Sequence, residues 1–308
     1  MYPNLYYMIK DLSGLDLPFL GVVQSFGLFV ALAFLSASYF FTLELKRKEK
    51  QNLVKPLPVL KDEKEIHPYE HVGNMTIVAA ITGFLGARIF HILENLGEFL
   101  NDPMAMVFTR SGFTMYGGLI LASFSVIYFA KRKGIATLPL IDACAPGLML
   151  AYGIGRMGCH ISGDGDWGIN NLTPNPTFLP DWFWSYSYPH NVNEVGVLIP
   201  NCTDDKYCAM LAHPVFPTPL YECIACVLLF SALWLFRKKI TAPGALFSLY
   251  IALNGVERFL IEKIRVNNKF DVFGMNLTQA EIISSIFMII GTIGILLSYK
   301  YYKKTPVA

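Results

Sequence analysis

Charged residues are scarce in this chain of 308 residues. Asp, Glu, Lys and Arg together make up 16% of it, whereas a soluble globular protein usually carries about 25%. Hydrophobic residues make up 54%. This balance excludes an ordinary soluble domain and predicts a polytopic membrane protein that has the lipid bilayer as a partner. The net charge of +2 is uninformative by itself, and we expect no nucleic-acid partner.

We expect no cleavable signal peptide at the start of this sequence. Its N-terminal segment lacks a basic region, and the first apolar run is long enough to stay in the bilayer. Because the apolar segments follow one another closely, we expect a single membrane domain over residues 1–308.

Apolar segments of roughly 20 residues recur seven times, which predicts an all-α bundle of seven transmembrane helices. The predicted spans are Phe19–Leu43, Met75–Ile92, Phe113–Ala130, Leu138–Gly155, Phe216–Leu235, Gly244–Ile264 and Ala280–Tyr299. Basic clusters follow the first, third, fifth and seventh spans. Since basic residues accumulate on the cytoplasmic side, the N-terminus is expected outside and the C-terminus in the cytoplasm.

Two connecting segments stand out. Residues 44–71 are charged and contain three prolines, which favours a solvated cytoplasmic loop over a partner site. Residues 159–214 are rich in Pro, Asn, Trp and Tyr, and we expect a periplasmic loop that forms a small cap, with functional and anchoring roles equally open. Cys202 and Cys208 lie in this loop, but their spacing alone does not establish a disulfide.

Arginines within apolar segments are the most informative residues. Arg88, Arg156 and Arg258 each lie in or beside a predicted span, where an arginine costs roughly 2.5–3.5 kcal/mol on insertion scales. Three such residues indicate a shared buried anion, and in a membrane we expect that anion to be a lipid phosphate.

The segment Gly163–Gly168 has the spacing G-x-G-x-x-G of dinucleotide-binding proteins. That fingerprint requires a preceding strand, whereas here a predicted membrane helix comes first, and two aspartates would repel a pyrophosphate. We therefore expect the glycines to let the backbone leave the helix and turn sharply beside a ligand.

Each remaining cluster has a structural alternative. Arg88 can extend to the membrane surface, and Gly117-Gly118 can serve close helix packing. Tyr116 can be an interfacial aromatic, and Arg258 can simply pair with Glu262 four residues later. Glu222 adds another ionisable group near a span, and Cys223 and Cys226 fit small core residues better than redox or zinc ligands.

Together these clusters resemble the prolipoprotein diacylglyceryl transferase family. The resemblance runs from Gly83 to Gly291 and rests on the order of several short motifs in a seven-span setting. The motifs are Gly-Ala-Arg at Arg88, Gly-Gly-Leu at Gly117, Asp142…Pro146, Gly-Arg-x-Gly at Arg156, Pro219-Leu220-Tyr221-Glu222, Arg258-Phe259…Glu262 and Leu277-Thr278-Gln279.

The resemblance implies an enzyme of the bacterial inner membrane, working without a cofactor. It would move an sn-1,2-diacylglyceryl group from phosphatidylglycerol to the lipobox cysteine thiol of a prolipoprotein signal peptide, releasing glycerol 1-phosphate. Arg156 matches the signature arginine of the family and Arg258 the second essential one. The expected catalytic residues are Arg156, Arg258, Tyr116 and His160. The expected substrate-binding residues are Arg88, Gly117, Gly118, Ser162, Asp164, Gly168, Glu222 and Glu262.

The chain also departs from the family pattern. Phe26 stands where the family usually has a tyrosine, Tyr116 where it commonly has a functional histidine, and Cys159 where the signature has an asparagine. The segment Gly163–Gly168 is one residue longer than the Gly-Glu-Leu-Trp-Gly that the family signature has at this place.

Without the family histidine, the base that deprotonates the thiol is open: we rank His160 ahead of His91 and Asp164. No metal is required, although His160, Asp164 and Asp166 have suitable ligand atoms. The alternative function is a non-catalytic or differently specific relative that binds an anionic phospholipid or a partner helix; a transporter is disfavoured because no inverted repeat is visible.

Overall fold

The computed structural model describes residues 1–56, 66–108, 112, 114–176, 178–202, 206–272 and 274–302. The described chain is mainly helical, with two short antiparallel hairpins. The helices are α1 Leu5–Ser13, α2 Ser25–Lys50, α3 Val72–Glu94, α4 Leu96–Asn101, α5 Pro103–Phe108, α6 Met115–Arg132, α7 Thr137–Ser162, α8 Asp181–Trp184, α9 Thr218–Phe236, α10 Ala245–Glu262 and α11 Gln279–Tyr302. The strands are β1 Val197–Leu198, β2 Ala209–Met210, β3 Lys269–Val272 and β4 Met275–Thr278.

A long helix occupies each of the seven predicted spans. By length and composition, five stretches are suited to crossing a membrane: α2, α3 with the turn before it, α7, α9 and α11. The other two, α6 and α10, have 18 residues each. The prediction of an all-α membrane protein is therefore confirmed at the level of fold class.

The first span is displaced from its predicted bounds. It was expected from Phe19, but Pro18–Val22 form a short 3-10 turn and α2 begins only at Ser25. A backbone bridge between Asn4 and Gln24 holds this turn against the N-terminal segment. At its other end α2 continues to Lys50, well past the predicted Leu43, because the basic residues after the apolar run are themselves helical.

The described residues divide into two compact units. One comprises Met1–Ala37 with Cys144–Ala308, and the other Ser38–Ala143. In the smaller unit, α3 and α6 pack closely because glycines face each other. A Cβ atom on Gly86 would collide with the Gly117 carbonyl oxygen, and one on Gly118 would lie 2.8 Å from the Gly83 carbonyl oxygen. The close-packing alternative for Gly117 and Gly118 is thus what the structure displays.

The segment predicted as a cytoplasmic loop is partly helical. Its first residues, from Glu44 to Lys50, complete α2, and Pro68–His71 form a 3-10 turn that leads into α3. Within the same unit the Lys48 ammonium lies 3.7 Å from the Asp142 carboxylate, with both side chains buried. Residues 57–65 of this loop, Phe113 at the predicted start of the third span, and the basic tail residues Lys303 and Lys304 lie outside the described residues.

The core of the larger unit is formed by α7, α9 and α10. Each helix contributes an apolar stripe with steps of three and four residues, which places its members on one face. The stripes are Ala145, Met149 and Tyr152 on α7, Leu233, Leu229 and Cys226 on α9, and Leu246, Tyr250 and Leu253 on α10. Gly153 permits close contact with α9, since a Cβ atom there would lie 2.8 Å from the Cys226 Cβ. Helix α11 packs against α10 through Gly255 and Gly291.

The segment after α7 folds over the end of these helices. It contains α8, the β1–β2 hairpin and a disulfide between Cys202 and Cys208, so the pairing left open by the sequence is made. The backbone turns sharply after α7 because Gly163 and Gly165 both adopt positive φ, at 65° and 99°.

Candidate active site

The apolar core of the larger unit ends in a layer of ionisable side chains. One further step of the same helical spacing leads from Tyr152 to Arg156 on α7, from Cys226 to Glu222 on α9, and from Leu253 to Glu257 on α10. Helix α9 runs opposite to α7 and α10 in this arrangement. Three packed helices therefore present charged groups at the same end of the core, in the place where the segment after α7 covers them.

Glu222 lies at the centre of this layer and is 0% exposed. Its carboxylate contacts three guanidinium groups. Oε2 contacts Arg156 Nε, whereas Oε1 lies 3.2 Å from Arg258 Nη1 and 3.3 Å from Arg265 Nη1. The contact with Arg156 is an ion pair that lacks hydrogen-bond alignment. Arg156 and Arg258 thus meet at one buried carboxylate of the protein, although they lie on different helices; the sequence predicted a shared anion but expected it to be a lipid phosphate.

Asp166 forms the second centre of the network. It contacts Arg156 Nη1 through Oδ2 and lies 2.7 Å from Arg265 Nη2 through Oδ1. Burial alone would raise the pKa of Asp166, but the two arginines outweigh burial and lower the pKa to about 2. Asp166 is therefore an ionised structural partner of both arginines. Thr218 on α9 fixes its backbone, since the Thr218 hydroxyl donates to the Asp166 carbonyl oxygen at 2.8 Å.

The predicted ion pair along α10 is present. Arg258 Nη2 lies 2.8 Å from Glu262 Oε2, and Glu262 is buried. Its other oxygen accepts a hydrogen bond from Asn267 Nδ2 at 2.5 Å. Arg258 is thereby held between carboxylates of two helices, Glu222 and Glu262, which orients its guanidinium group.

The network contains more carboxyl groups than guanidinium groups. Among the described residues, Arg156, Arg258 and Arg265 are each paired with Asp166, Glu222 or Glu262. Glu257 is a fourth carboxyl group that interacts electrostatically with the same three arginines. An anion that enters this layer therefore meets guanidinium groups whose charge is already balanced.

Three buried guanidinium nitrogens of the network lack a hydrogen-bond partner within the described chain: Arg156 Nε, which contacts Glu222 as an ion pair, Arg156 Nη2 and Arg265 Nε. Arg156 Nη2 is buried and unpaired, although the rest of that guanidinium is engaged. A buried N–H without a partner is costly, on the order of 1–3 kcal/mol. Such a donor is suited to an oxygen of a bound ligand.

Cys159, Asp164 and Asp166 lie together beside Arg156. Arg156 Nη1 lies 3.6 Å from Cys159 Sγ, and the thiol and the two carboxylates place ligand atoms within 4.8 Å of one another. This spacing suits a metal ion, but both Asp166 oxygens already contact guanidinium groups, which would compete with a cation. Burial raises the pKa of Asp164, because the ionised carboxyl group loses hydration there.

His160 lies in an aromatic cluster at the end of α7. Its Nδ1 lies 3.1 Å from the hydroxyl of Tyr188, which is fully buried, and its ring contacts Tyr186.

Ser162, predicted to bind substrate, donates its hydroxyl to the Gly158 carbonyl oxygen of its own helix at 2.9 Å. Phe26, which replaces the family tyrosine, packs against Gly158.

Position 168 requires glycine because the backbone at the end of α10 lies very close to it. Its amide donates to the Phe216 carbonyl oxygen at 2.9 Å, and it forms a bridge with Arg265. A Cβ atom at this position would lie 2.5 Å from the Ile264 carbonyl oxygen. The glycine thus lets the segment after α7 approach the end of α10. The dinucleotide-binding alternative is excluded, since the motif follows helix α7 and not a strand.

The remaining predicted site residues belong to the smaller unit and are described within it. Arg88 is buried and donates from Nη2 to the Val107 carbonyl oxygen at 2.9 Å and from Nη1 to that of Gly112 at 2.9 Å. Tyr116 is half-buried at the start of α6, directly before the Gly117–Gly118 contact with α3. The Arg88 guanidinium therefore joins the backbone of Val107 and of Gly112 to α3.

Three members of the network were not predicted as site residues: Asp166, Glu257 and Arg265. Arg265 lies seven residues after Arg258, and this spacing was the available signal, although α10 ends at Glu262 and Arg265 belongs to the segment that follows it. Asp166 and Arg265 are 99 positions apart, and no local pattern indicates such a contact.

The chain is similar to known proteins over most of its length. The model of the family described as prolipoprotein diacylglyceryl transferase matches residues 17–297. A phosphatidylglycerol–prolipoprotein diacylglyceryl transferase of Clostridium tetani is 30% identical over 223 residues, covering 72% of this chain and 78% of the relative. The proteins of that name from Corynebacterium diphtheriae and Corynebacterium efficiens are 31% and 32% identical, covering 65% and 73% of this chain and 69% and 67% of the relatives. The resemblance seen in the sequence is confirmed: the chain belongs to the prolipoprotein diacylglyceryl transferase family.

Proposed function

We propose that this protein transfers an sn-1,2-diacylglyceryl group from phosphatidylglycerol to the lipobox cysteine thiol of a prolipoprotein, releasing glycerol 1-phosphate. Family membership supports the reaction, and the observation that carries the mechanism is the convergence of Arg156, Arg258 and Arg265 on Glu222. Guanidinium groups suit this task because they stay protonated and bind phosphate through two parallel N–H groups.

The reaction is a displacement at a glyceryl carbon. The lipobox sulfur forms a bond to that carbon, the carbon–oxygen bond to phosphate breaks, and the electron pair of that bond leaves with the phosphate. The thiol proton passes to a base, and the departing phosphate gains negative charge. We assign Arg156 and Arg258 to the stabilisation of that charge, with the unpaired Arg156 Nη2 directed to a phosphate oxygen.

Asp164 is our choice for the base. It lies beside Cys159 and Arg156, and its raised pKa makes it a stronger base than a surface carboxylate. His160, which the sequence favoured, is buried among Tyr186 and Tyr188, and its Nδ1 is engaged by a tyrosine hydroxyl.

We further propose seven spans in the inner membrane, with the N-terminus outside and the C-terminus cytoplasmic. Basic residues lie in the last turns of α2, α6 and α11, which supports a cytoplasmic position for these ends. The ionised layer lies at the outer ends of α7, α9 and α10 in this arrangement. The disulfide of the segment after α7 fits an oxidising compartment, which supports a periplasmic cap over residues 159–214.

The test uses purified protein, phosphatidylglycerol labelled in its headgroup glycerol, and a peptide with a lipobox cysteine. We expect release of labelled glycerol phosphate that depends on the peptide and is lost when its cysteine is replaced by serine. Release that is independent of the peptide would indicate hydrolysis or another acceptor. Binding of the lipid without any release would favour the alternative of a non-catalytic lipid-binding protein.

A further inference from the structure

Glu257 is the ionisable residue of the layer that the ion pairs leave out. It is 7% exposed, and neither of its carboxyl oxygens has a hydrogen-bond partner within the described part of the chain. An ionised carboxylate in such a place loses its hydration without compensation, which costs several kcal/mol. Glu222 and Glu262, by contrast, both contact guanidinium groups.

The titratable groups that interact with Glu257 lie on α7, on α9, on its own helix and on the segment after α10, whereas Glu281 of the neighbouring helix α11 pairs with Lys263. Tyr152 and Arg156 face Glu257 from α7, Cys226 and the arginine-paired Glu222 lie on α9, and Arg258 follows it on its own helix. Arg265 interacts with it from the segment after α10. Asp164 lies near Arg156 but is hydrogen-bonded towards Cys159.

The balance of charges in this network indicates the protonation state of Glu257. Arg156, Arg258 and Arg265 carry three positive charges, and their direct partners Asp166, Glu222 and Glu262 carry three negative ones. Asp164 beside Arg156 adds a further negative charge when it is ionised, so an ionised Glu257 would leave this buried network with excess negative charge. A negative network repels a phosphodiester, and it repels even more the phosphate monoester that forms as the carbon–oxygen bond breaks.

We propose that Glu257 is a neutral carboxylic acid that donates a hydrogen bond to the lipid phosphate, beside the guanidinium groups. The proposal rests on the proposed function, because it assigns the phosphate of phosphatidylglycerol to this layer. A protonated carboxyl group supplies a donor without adding charge. The phosphate thereby gains a hydrogen-bond donor that is not already paired with a carboxylate of the network. Deprotonation of Glu257 removes that donor and adds a negative charge that repels the phosphate.

The test is equilibrium binding of phosphatidylglycerol in neutral detergent micelles, measured from pH 6 to pH 9 with phosphatidylcholine as the comparison lipid. The wild-type Kd is expected to rise at least about threefold across this range. Glu257→Gln keeps the shape and an N–H donor without an acidic proton, so its Kd should stay within about threefold of the wild-type value at pH 6 and remain flat with pH. Glu257→Leu lacks a donor and should weaken binding about tenfold at pH 6, since a hydrogen bond to a charged group contributes roughly 1.5–3 kcal/mol.

Glu98→Gln is the matched control, because it makes the same chemical change at an exposed position of α4 and should reproduce the wild-type profile. The thermal unfolding temperature of each variant shows that it is folded. Two results would overturn the role of Glu257 while leaving the transferase proposal intact: a Kd of Glu257→Gln that follows the wild-type pH dependence, or wild-type binding by Glu257→Leu. Absence of phosphatidylglycerol binding by the wild type, with no glycerol phosphate release, would instead overturn the proposed function and the role of Glu257 with it.

Discussion

Replacing Glu222 by glutamine removes the one charge that three arginines share. The side chain is fully buried, and Arg156, Arg258 and Arg265 around it are 12%, 24% and 9% exposed, so water cannot take over its role. Glutamine keeps the volume and one acceptor oxygen, and the loss is therefore close to the lower limit for breaking a buried ion pair, about 3 kcal/mol. At roughly 2–4 °C per kcal/mol, the unfolding temperature should fall on the order of 10 °C.

The measurement is thermal unfolding of purified Glu222→Gln in detergent, followed by intrinsic fluorescence and compared with the exposed Glu98→Gln control. Turnover should fall as well, because Arg156 and Arg258 lose the group that aligns them. An unfolding temperature within about 2 °C of wild type, in a variant that still releases glycerol phosphate, would refute the conclusion that Glu222 organises the site.

Three further predictions follow from particular contacts. Asp164→Asn should slow transfer and remove the acid limb of the pH–rate profile. The reason is that the base must be ionised, so the wild type loses activity as the pH falls through the raised pKa of Asp164. An acid limb that is unchanged in the variant's rate–pH series would exclude Asp164 as the base. Cys202→Ser should cost the cap about 2 kcal/mol for a bridge that spans six positions, seen as faster proteolysis of that segment, whereas equal proteolysis rates would show that the bridge is dispensable. Gly86→Ala should destabilise the α3–α6 contact by about 1–3 kcal/mol, measured as a lower unfolding temperature. Gly73→Ala on the same helix is the control and should not destabilise it, since a Cβ atom at Gly73 meets nothing within 4 Å. Equal unfolding temperatures of the two variants would argue against this packing.

The sequence was sufficient for the helices and for part of the site. Apolar length predicted all seven long helices, apart from the start of α2. The cost of burying an arginine singled out Arg88, Arg156 and Arg258 as sharing one anion; Arg156 and Arg258 meet at Glu222, whereas Arg88 donates to backbone carbonyl oxygens of the smaller unit. The pairing of Arg258 with Glu262 followed from helical spacing alone. These features depend on local pattern or on the general cost of a buried charge, and both are visible in a single chain.

What the sequence could not provide is the set of partners from distant segments. Asp166 joins Arg156 to Arg265 because the chain turns at Gly163 and Gly165 and returns to α10, and only the folded backbone shows this. The role proposed for Glu257 likewise depends on which ionisable side chains surround it in the folded structure. The start of α2 was misplaced because an apolar run through Pro18 does not distinguish a 3-10 turn from a helix.

The central claim is that the guanidinium groups of this layer bind the phosphate of the lipid, and a structure determined with phosphatidylglycerol bound tests it most directly. The account predicts a phosphate oxygen within hydrogen-bonding distance of Arg156 Nη2, about 2.7–3.2 Å, with Arg258 beside the same phosphate. A headgroup bound elsewhere, with the ion pairs around Glu222 unchanged and Arg156 Nη2 still unpaired, would contradict it.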